Sequence, residues 1–164
     1  MPQMSDANEV RQRVLEMVRL AEASLPPENL PELPPGRFTQ GEPDWYPFEG
    51  EIWRIGESIR QLMNEQPKLR GDRELLSGFL RIARDPRGKR GRQSFVLLFA
   101  YKPCAPFASE LIEEIEDPNV CGHVIDALLK MKVPGFVDRI QPFASHTRTW
   151  IRNKAKQYCA RYRA

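Results

Sequence analysis

Residues 117–133 read DPNVCGHVIDALLKMKV, and the fold can be worked out from this stretch. Its first three residues form a turn signal, because the residue before a proline avoids the α region and Asp and Asn favour turns. Apolar side chains then recur at helical spacing, at Val120, Val124, Ile125, Leu128, Leu129 and Met131. Lys130 and Lys132 fall in the last turn, where a cation complements the helix dipole. The stretch predicts a turn followed by a helix with one apolar face.

The residues before this turn predict a second helix that pairs with the first. Its apolar positions share one helical face, and they are Phe107, Leu111, Ile112 and Ile115. Glutamates fill most of the opposite face, and Pro103 and Pro106 punctuate the start. We call the first helix of such a pair helix A and the second helix B. Neither has more than one apolar face, so the pair needs neighbours to bury it.

Several residue pairs share one offset of 31 residues, which indicates a repeat. The pairs are Gly91 and Gly122, Leu97 and Leu128, Pro103 and Pro134, and Val120 and Ile151. Division at the two prolines produces three units, residues 72–102, 103–133 and 134–164. A period of this size is typical of stacked helical units. The sequence therefore predicts an all-α chain.

The other two units follow the same plan. In the third unit, helix A carries Phe136, Val137, Ile140 and Phe143, and helix B carries Trp150, Ile151, Ala155, Tyr158, Cys159 and Tyr162. The turn between them is expected at residues 145–147. In the first unit, helix A carries Leu75, Leu76, Phe79, Leu80 and Ile82. The continuous apolar run at residues 95–99 also fits a buried strand, but the repeat register favours a buried helix.

The turn and helix B of the middle unit, with WIRNKAK at residues 150–156, resemble HEAT-like repeats of the bacterial short-repeat type. The resemblance covers residues 72–164. It implies a short right-handed α-solenoid of about three helix pairs, in which the B helices line one side. In that family an arginine after the first apolar position of helix B often braces the turn. Arg152 holds this place in the third unit, and Cys121 holds it in the middle unit.

Two further helices are predicted before the repeats. Asp6 is expected to cap the first, with Glu9 three residues on, and its apolar positions are Val10, Val14, Met17, Val18 and Ala21. The second runs over residues 51–66, with Ile52, Ile55, Ile59, Leu62 and Met63 on one stripe. We expect one structural domain, in which an N-terminal helix and strap at residues 1–50 pack on a repeat region at residues 51–164.

Residues 25–50 contain seven prolines, which exclude a long helix and favour extended or polyproline geometry. Flexible linkers are poor in aromatic residues, yet Phe38, Trp45, Tyr46 and Phe48 cluster here. The favoured prediction is an ordered strap across the helices. The alternative is that Trp45, Tyr46 and Phe48 form an exposed contact for a partner, since Trp and Tyr are enriched at such sites.

Composition indicates a soluble globular protein, with 41% apolar and 29% charged residues in a chain of 164. No apolar run approaches the roughly 18 residues of a membrane helix. Residues 1–6 lack the basic and apolar regions of a secretory signal. The three cysteines, Cys104, Cys121 and Cys159, have no paired spacing, so the sequence predicts no disulfide framework and a reducing, cytoplasmic location.

Signals for catalysis are few. Cys121 and His123 are two residues apart and point to different faces of a helix, and a zinc site needs about four such ligands. Residues 88–91, GKRG, lack the preceding strand and the hydroxyl of a nucleotide-binding loop. The carboxylates at residues 113–117 are typical of a solvated helix surface. We therefore expect no enzyme, metal or cofactor, with Cys121 and Cys159 as core residues.

Basic residues cluster around the turn of the first unit and along the last helix. Yet 25 basic and 22 acidic residues leave a net charge of only +3, so a protein partner is favoured over nucleic acid. We expect the partner to bind a surface on the B helices that consists of Arg90, Arg92, Gln93, His123, Asp126, Lys130, Arg152 and Lys156.

The resemblance adds two functional expectations. Small bacterial proteins with this repeat pattern are similar to immunity proteins that neutralise a toxin by plugging its active site, which implies a non-catalytic interaction module. The alternative is nucleic-acid binding or DNA repair, because HEAT-like alkylpurine DNA glycosylases hold DNA in a basic concave groove with an aspartate and tryptophans. Asp126 and Trp150 are the comparable residues here. The oligomeric state stays open.

Overall fold

The structure is a computed structural model that describes residues 6–36 and 42–163. Contacts divide the chain into two compact units, Met1–Phe95 and Val96–Ala164. The boundary predicted after residue 50 falls inside the first unit. Residues 1–5, which carry most of the signal-sequence prediction, and Phe38 lie outside the described residues.

The described part of the chain contains eight α-helices and no β-strand, so the prediction of an all-α chain is confirmed. The helices are α1 (Ala7–Ala23), α2 (Pro47–Glu65), α3 (Arg73–Ala83), α4 (Gln93–Leu97), α5 (Ala108–Leu111), α6 (Cys121–Met131), α7 (Val137–Ile140) and α8 (Thr149–Tyr162). Short 3-10 segments lie at Pro67–Gly71, Pro86–Arg92, Lys102–Phe107, Ile112–Glu114 and Gln141–Ser145.

In the first unit, α1 packs on α2 and α3 through one buried apolar stripe. The stripe consists of Val10, Val14, Val18 and Ala21. The side chain of Asp6 accepts a hydrogen bond from the amide of Asn8, as expected of an N-cap. Helix α2 begins at Pro47, four residues before the predicted start, because proline is well suited to a first helical turn.

Side chains of the basic segment Pro86–Arg92 contact the proline-rich segment within the first unit. Arg87 donates to the carbonyl of Pro26 over 3.2 Å, and Arg90 donates to the carbonyls of Pro43 and Asp44. The ammonium of Lys89 lies 3.3 Å from the amide oxygen of Asn29. These contacts fix parts of residues 25–36 and 42–46 within the first unit, and the packing of an ordered strap across a solenoid stays a prediction.

The basic segment packs closely on α2. A Cβ placed on Gly91 would lie 2.6 Å from the carbonyl oxygen of Glu49, so only glycine fits there. Lys89 adopts φ 48° and ψ −131°, a conformation that non-glycine residues rarely take. Its carbonyl accepts from the Arg92 guanidinium over 2.8 Å, which helps to keep the backbone in this form.

The apolar run at residues 95–99 is helical at its start, as the repeat register predicts. Helix α4 covers its first three residues and ends at Leu97. The side chains of Phe95, Val96, Leu98 and Phe99 are buried. The division between the two compact units falls within this helix.

In the second unit, the two B helices form as predicted, at α6 and α8, and they pack on each other. The turn before α6 is also as predicted, because the amide of Asn119 donates to the Asp117 carboxylate over 2.9 Å. The A helices are broken into short α and 3-10 pieces, at residues 102–114 and 137–145. Pro103, Pro106 and Pro142 lack amide hydrogens, which prevents a continuous ladder of α-helical hydrogen bonds.

All three cysteines are buried, and none of them forms a disulfide. Cys121 and Cys159 therefore lie in the core as predicted. Burial raises the pKa of both thiols, and the neutral form suits an apolar environment.

Candidate functional site

The two B helices of the second unit approach each other closely at Gly122. A Cβ placed there would lie 2.4 Å from the ring of Trp150 and 2.7 Å from the side chain of Ile151. Glycine therefore allows α8 to cross α6 one turn before Asp126. This contact brings the polar face of α8 beside the polar residues of α6.

Asp126 joins the two helices through ion pairs. Its carboxylate lies 3.0 Å from the ammonium of Lys130, one turn later on α6, and 2.9 Å from that of Lys154 on α8. Burial raises the pKa of Asp126, but hydrogen bonds and charges from Lys154 and Lys130 outweigh burial and hold it below the usual range. The carboxylate is ionised at neutral pH and holds both lysines in place.

These three residues line a concave pocket of about 480 Å³ in the second unit. We call it the lysine pocket, and its lining consists of Ala100, Tyr101, Lys102, Asp126, Leu129, Lys130, Lys132, Lys154, Gln157 and Arg161. Five of these side chains are cationic and one is a carboxylate, so the lining has a formal charge of 5 − 1 = +4. Such a concave, positively charged surface attracts anions.

Lys130 and Lys132 lie where α6 ends. Lys132 is the C-cap and adopts the left-handed conformation, with φ 60° and ψ 45°. Its amide donates to the carbonyls of Leu128 and Leu129, which closes the helix. Lys130 and Lys132 also offset the negative end of the helix dipole. Two of the five pocket cations therefore come from the last turn and the C-cap of α6.

His123 does not offer a charge to a partner. Its ring contacts Trp150 edge to face, with centroids 5.2 Å apart. Burial lowers the pKa of His123 to about 4, with Arg148 acting in the same direction and Asp126 opposing it. The imidazole is neutral at pH 7 and contributes to the packing of α6 on α8.

This pKa predicts a loss of stability in acid. The folded state binds the His123 proton more weakly than the unfolded state, so stability is complete above the ordinary pKa of 6.5 and falls towards about pH 4. Between about pH 7.5 and about pH 5 the expected loss is about 2 kcal/mol. Urea denaturation of the protein and of His123→Gln at both pH values measures it. Equal pH dependence in the two proteins would contradict the assignment.

Arg152 has the contacts that a turn brace requires. Its guanidinium donates to the carbonyl of His146 over 3.0 Å and to the hydroxyl of Thr149 over 3.2 Å. Lys156, one turn later on α8, is exposed and lies outside the lysine pocket. Its predicted role in binding a partner stays a prediction.

The expectation that Arg90 and Arg92 lie on an exposed surface is wrong. Arg90 is 4% exposed, pairs with Glu42 and covers the ring of Trp45 at 5.2 Å. Arg92 is fully buried, and its guanidinium donates to the carbonyls of Lys89 and Ala83. Both side chains hold the first unit together. Gln93 also belongs to the first unit, where it begins α4 and is half-buried.

The aromatic residues of the strap have partners within the first unit. The hydroxyl of Tyr46 donates to the carbonyl of Pro31 over 2.7 Å. The rings of Tyr46 and Phe48 stack with centroids 5.2 Å apart, and Trp45 lies under Arg90. All three aromatic side chains are half-buried. Their use as a contact for a partner stays a prediction.

No family model, curated protein or solved structure matches this chain. The site must therefore be interpreted from its own geometry. Among residues 6–36 and 42–163, no three His, Cys, Asp or Glu side chains lie together as metal ligands would. Within the same ranges, every helix is too short or too polar to cross a membrane.

The sequence-based site missed four cations of the lysine pocket: Lys102, Lys132, Lys154 and Arg161. One signal was present, because residues 154, 157 and 161 have the spacing of one helical face. Lys102 carries no such signal, since it follows α4 in a different segment and reaches the pocket only through folding.

Proposed function

We propose that this protein is a non-catalytic interaction module whose second unit binds an acidic segment of a partner protein. The lysine pocket is the observation that carries the proposal. Five cations converge there beside the apolar surface of Tyr101 and Leu129, and Asp126 orients two of them. An acidic segment with some apolar side chains complements such a surface in both charge and polarity.

The distribution of charge favours a protein over nucleic acid. The pocket is bounded, whereas a basic stripe is needed to follow a phosphate backbone. Exposed carboxylates occur on the same unit, at Glu110, Glu113 and Glu116, and they repel an extended polyanion. A compact acidic segment avoids this repulsion because its charge is confined to the pocket.

The proposed architecture is a short right-handed solenoid of HEAT-like helix pairs. Support comes from the Asp117 turn before α6, from the packing of α6 on α8, and from the Arg152 hydrogen bonds to the preceding turn. The resemblance suggests a toxin as the partner, with this protein as its inhibitor. A reducing, cytoplasmic location is part of the proposal and is supported by three buried cysteines that form no disulfide.

Charge reversal in the pocket is expected to weaken capture of the partner. Lys102→Glu with Arg161→Glu changes two pocket cations and leaves the Asp126 ion pairs intact. Affinity is expected to fall by about tenfold or more, because both charges then repel an acidic segment. The measurement is capture of a stoichiometric protein from nuclease-treated host lysate, followed by titration of the purified partner.

The matched control is Arg19→Glu with Lys68→Glu, two exposed cations of the first unit with the same total change in charge. It is expected to capture the partner as the unaltered protein does. Equal loss in both double variants would show that net charge matters and the pocket does not. Material that disappears on nuclease treatment would favour the alternative, nucleic-acid binding, and would contradict the proposal.

A further inference from the structure

The lysine pocket holds more positive charge than the protein as a whole. The chain has a net charge of +3 and the pocket lining has +4, so all the remaining residues together have 3 − 4 = −1. The excess of basic residues is therefore concentrated at one concave site.

Part of this charge is not compensated. Asp126 neutralises one equivalent of charge and is shared by Lys130 and Lys154. Within the part of the chain that the structure describes, Lys102, Lys132 and Arg161 have no ion-pair partner. Cations that converge in a concave site repel each other until an anion enters. The two lysines on Asp126 are already oriented, which lowers the entropic cost of binding.

We infer that the lysine pocket binds a compact polyphosphate, a small molecule with at least two phosphoryl groups. A terminal phosphoryl group has a charge of about −1.5 to −2 at neutral pH, and a second phosphoryl group adds further negative charge, so a diphosphate offsets most of the pocket charge, whereas one carboxylate does not. The pocket is open to solvent, and its volume of about 480 Å³ exceeds what one phosphoryl group fills.

The rest of the lining suits an organic part of the ligand. Ala100, Leu129 and the ring of Tyr101 provide apolar surface, and Gln157 provides an amide that donates and accepts. An organic diphosphate uses this surface in addition to the cations, whereas inorganic pyrophosphate uses the cations alone. Both ligands offer a pair of phosphoryl groups to the cations. They differ in the organic part, which only the organic diphosphate places on the apolar surface.

The ligand and the acidic partner segment require the same lysines, so they compete. This competition rests on the proposed function, while binding of the polyphosphate does not. A small polyphosphate in the pocket would release the partner and thereby regulate the interaction.

Calorimetric titration of the full chain with pyrophosphate and with ADP tests the inference. Both probes are expected to bind at one site at physiological ionic strength, and inorganic phosphate is expected to bind more weakly. Arg161→Gln and Lys102→Gln are each expected to weaken binding by about tenfold, the usual effect of one charge-assisted hydrogen bond. Lys68→Gln is the matched control, since Lys68 is an exposed lysine of the first unit and does not line the pocket.

If ADP binds more tightly than pyrophosphate, the ligand is an organic polyphosphate. If the two probes bind equally, the ligand is an inorganic polyphosphate. Failure of both probes to bind, or an effect of Lys68→Gln equal to that of the pocket variants, would overturn the inference. If the protein captures an acidic partner but binds no polyphosphate, the inference of a polyphosphate site is overturned and the proposed function stands. Polyphosphate binding without a partner would overturn the proposed function and leave the pocket as a small-molecule site.

Discussion

Leu128→Ala is expected to lower the free energy of unfolding by about 2–5 kcal/mol. Leu128 is fully buried on α6, on the helix that also presents Asp126 and Lys130 to the lysine pocket. Truncation removes buried apolar surface and leaves a cavity that the neighbouring side chains fill only in part. Urea denaturation at neutral pH measures the change as a shift in the midpoint at constant slope.

Asn153→Ala is the control for Leu128→Ala, because Asn153 is exposed on α8. Its effect is expected to stay within about 0.5 kcal/mol. A loss below about 1 kcal/mol for Leu128→Ala would contradict the core position of this face of α6. A change in the slope would instead indicate that the unfolding transition is not two-state.

Glu49→Ala is expected to destabilise the protein by about 2–6 kcal/mol, because each of two amide donors left without an acceptor costs about 1–3 kcal/mol. Glu49 is fully buried near the start of α2. Its carboxylate accepts from the amide of Tyr46 over 2.7 Å and from the amide of Arg90 over 3.1 Å. Burial raises the pKa of Glu49, and these amide hydrogen bonds oppose the rise. Alanine leaves both amides without an acceptor and removes the negative charge beside Arg90.

Thermal and urea unfolding of Glu49→Ala, Glu49→Gln and Glu51→Ala separate the loss of the hydrogen-bond acceptor from the loss of a carboxylate charge. Glu49→Gln keeps one acceptor oxygen and is expected to cost less than Glu49→Ala. Glu51→Ala removes an exposed carboxylate of the same helix and is expected to change stability by about 0.5 kcal/mol or less. Should Glu49→Ala behave like Glu51→Ala, the buried network would not contribute to the stability of the first unit.

Periodicity was sufficient to predict the long helices. In α1, α3, α6 and α8, apolar residues at helical spacing bury one face, and this pattern depends only on nearby residues. The A helices of the second unit were predicted as continuous but form short pieces. Prolines within them remove backbone donors, and this local effect outweighs the apolar pattern.

The candidate site could be predicted only in part. Asp126 and Lys130 are four residues apart on one helix, so their ion pair follows from the sequence. Lys154 joins them because α8 crosses α6 at Gly122, and Lys102 reaches the pocket from another segment. These placements depend on packing between distant parts of the chain.

Arg90 and Arg92 were wrongly included in the predicted surface, because their charge indicated exposure. Each guanidinium is buried because carbonyl oxygens are placed to accept its hydrogen bonds, and a sequence does not display those carbonyls. Helix positions thus follow from local periodicity in this protein. Which charges are buried and which meet in a pocket depends on contacts between residues far apart in the sequence, because the cost of burying a charge is set by the partners that folding supplies.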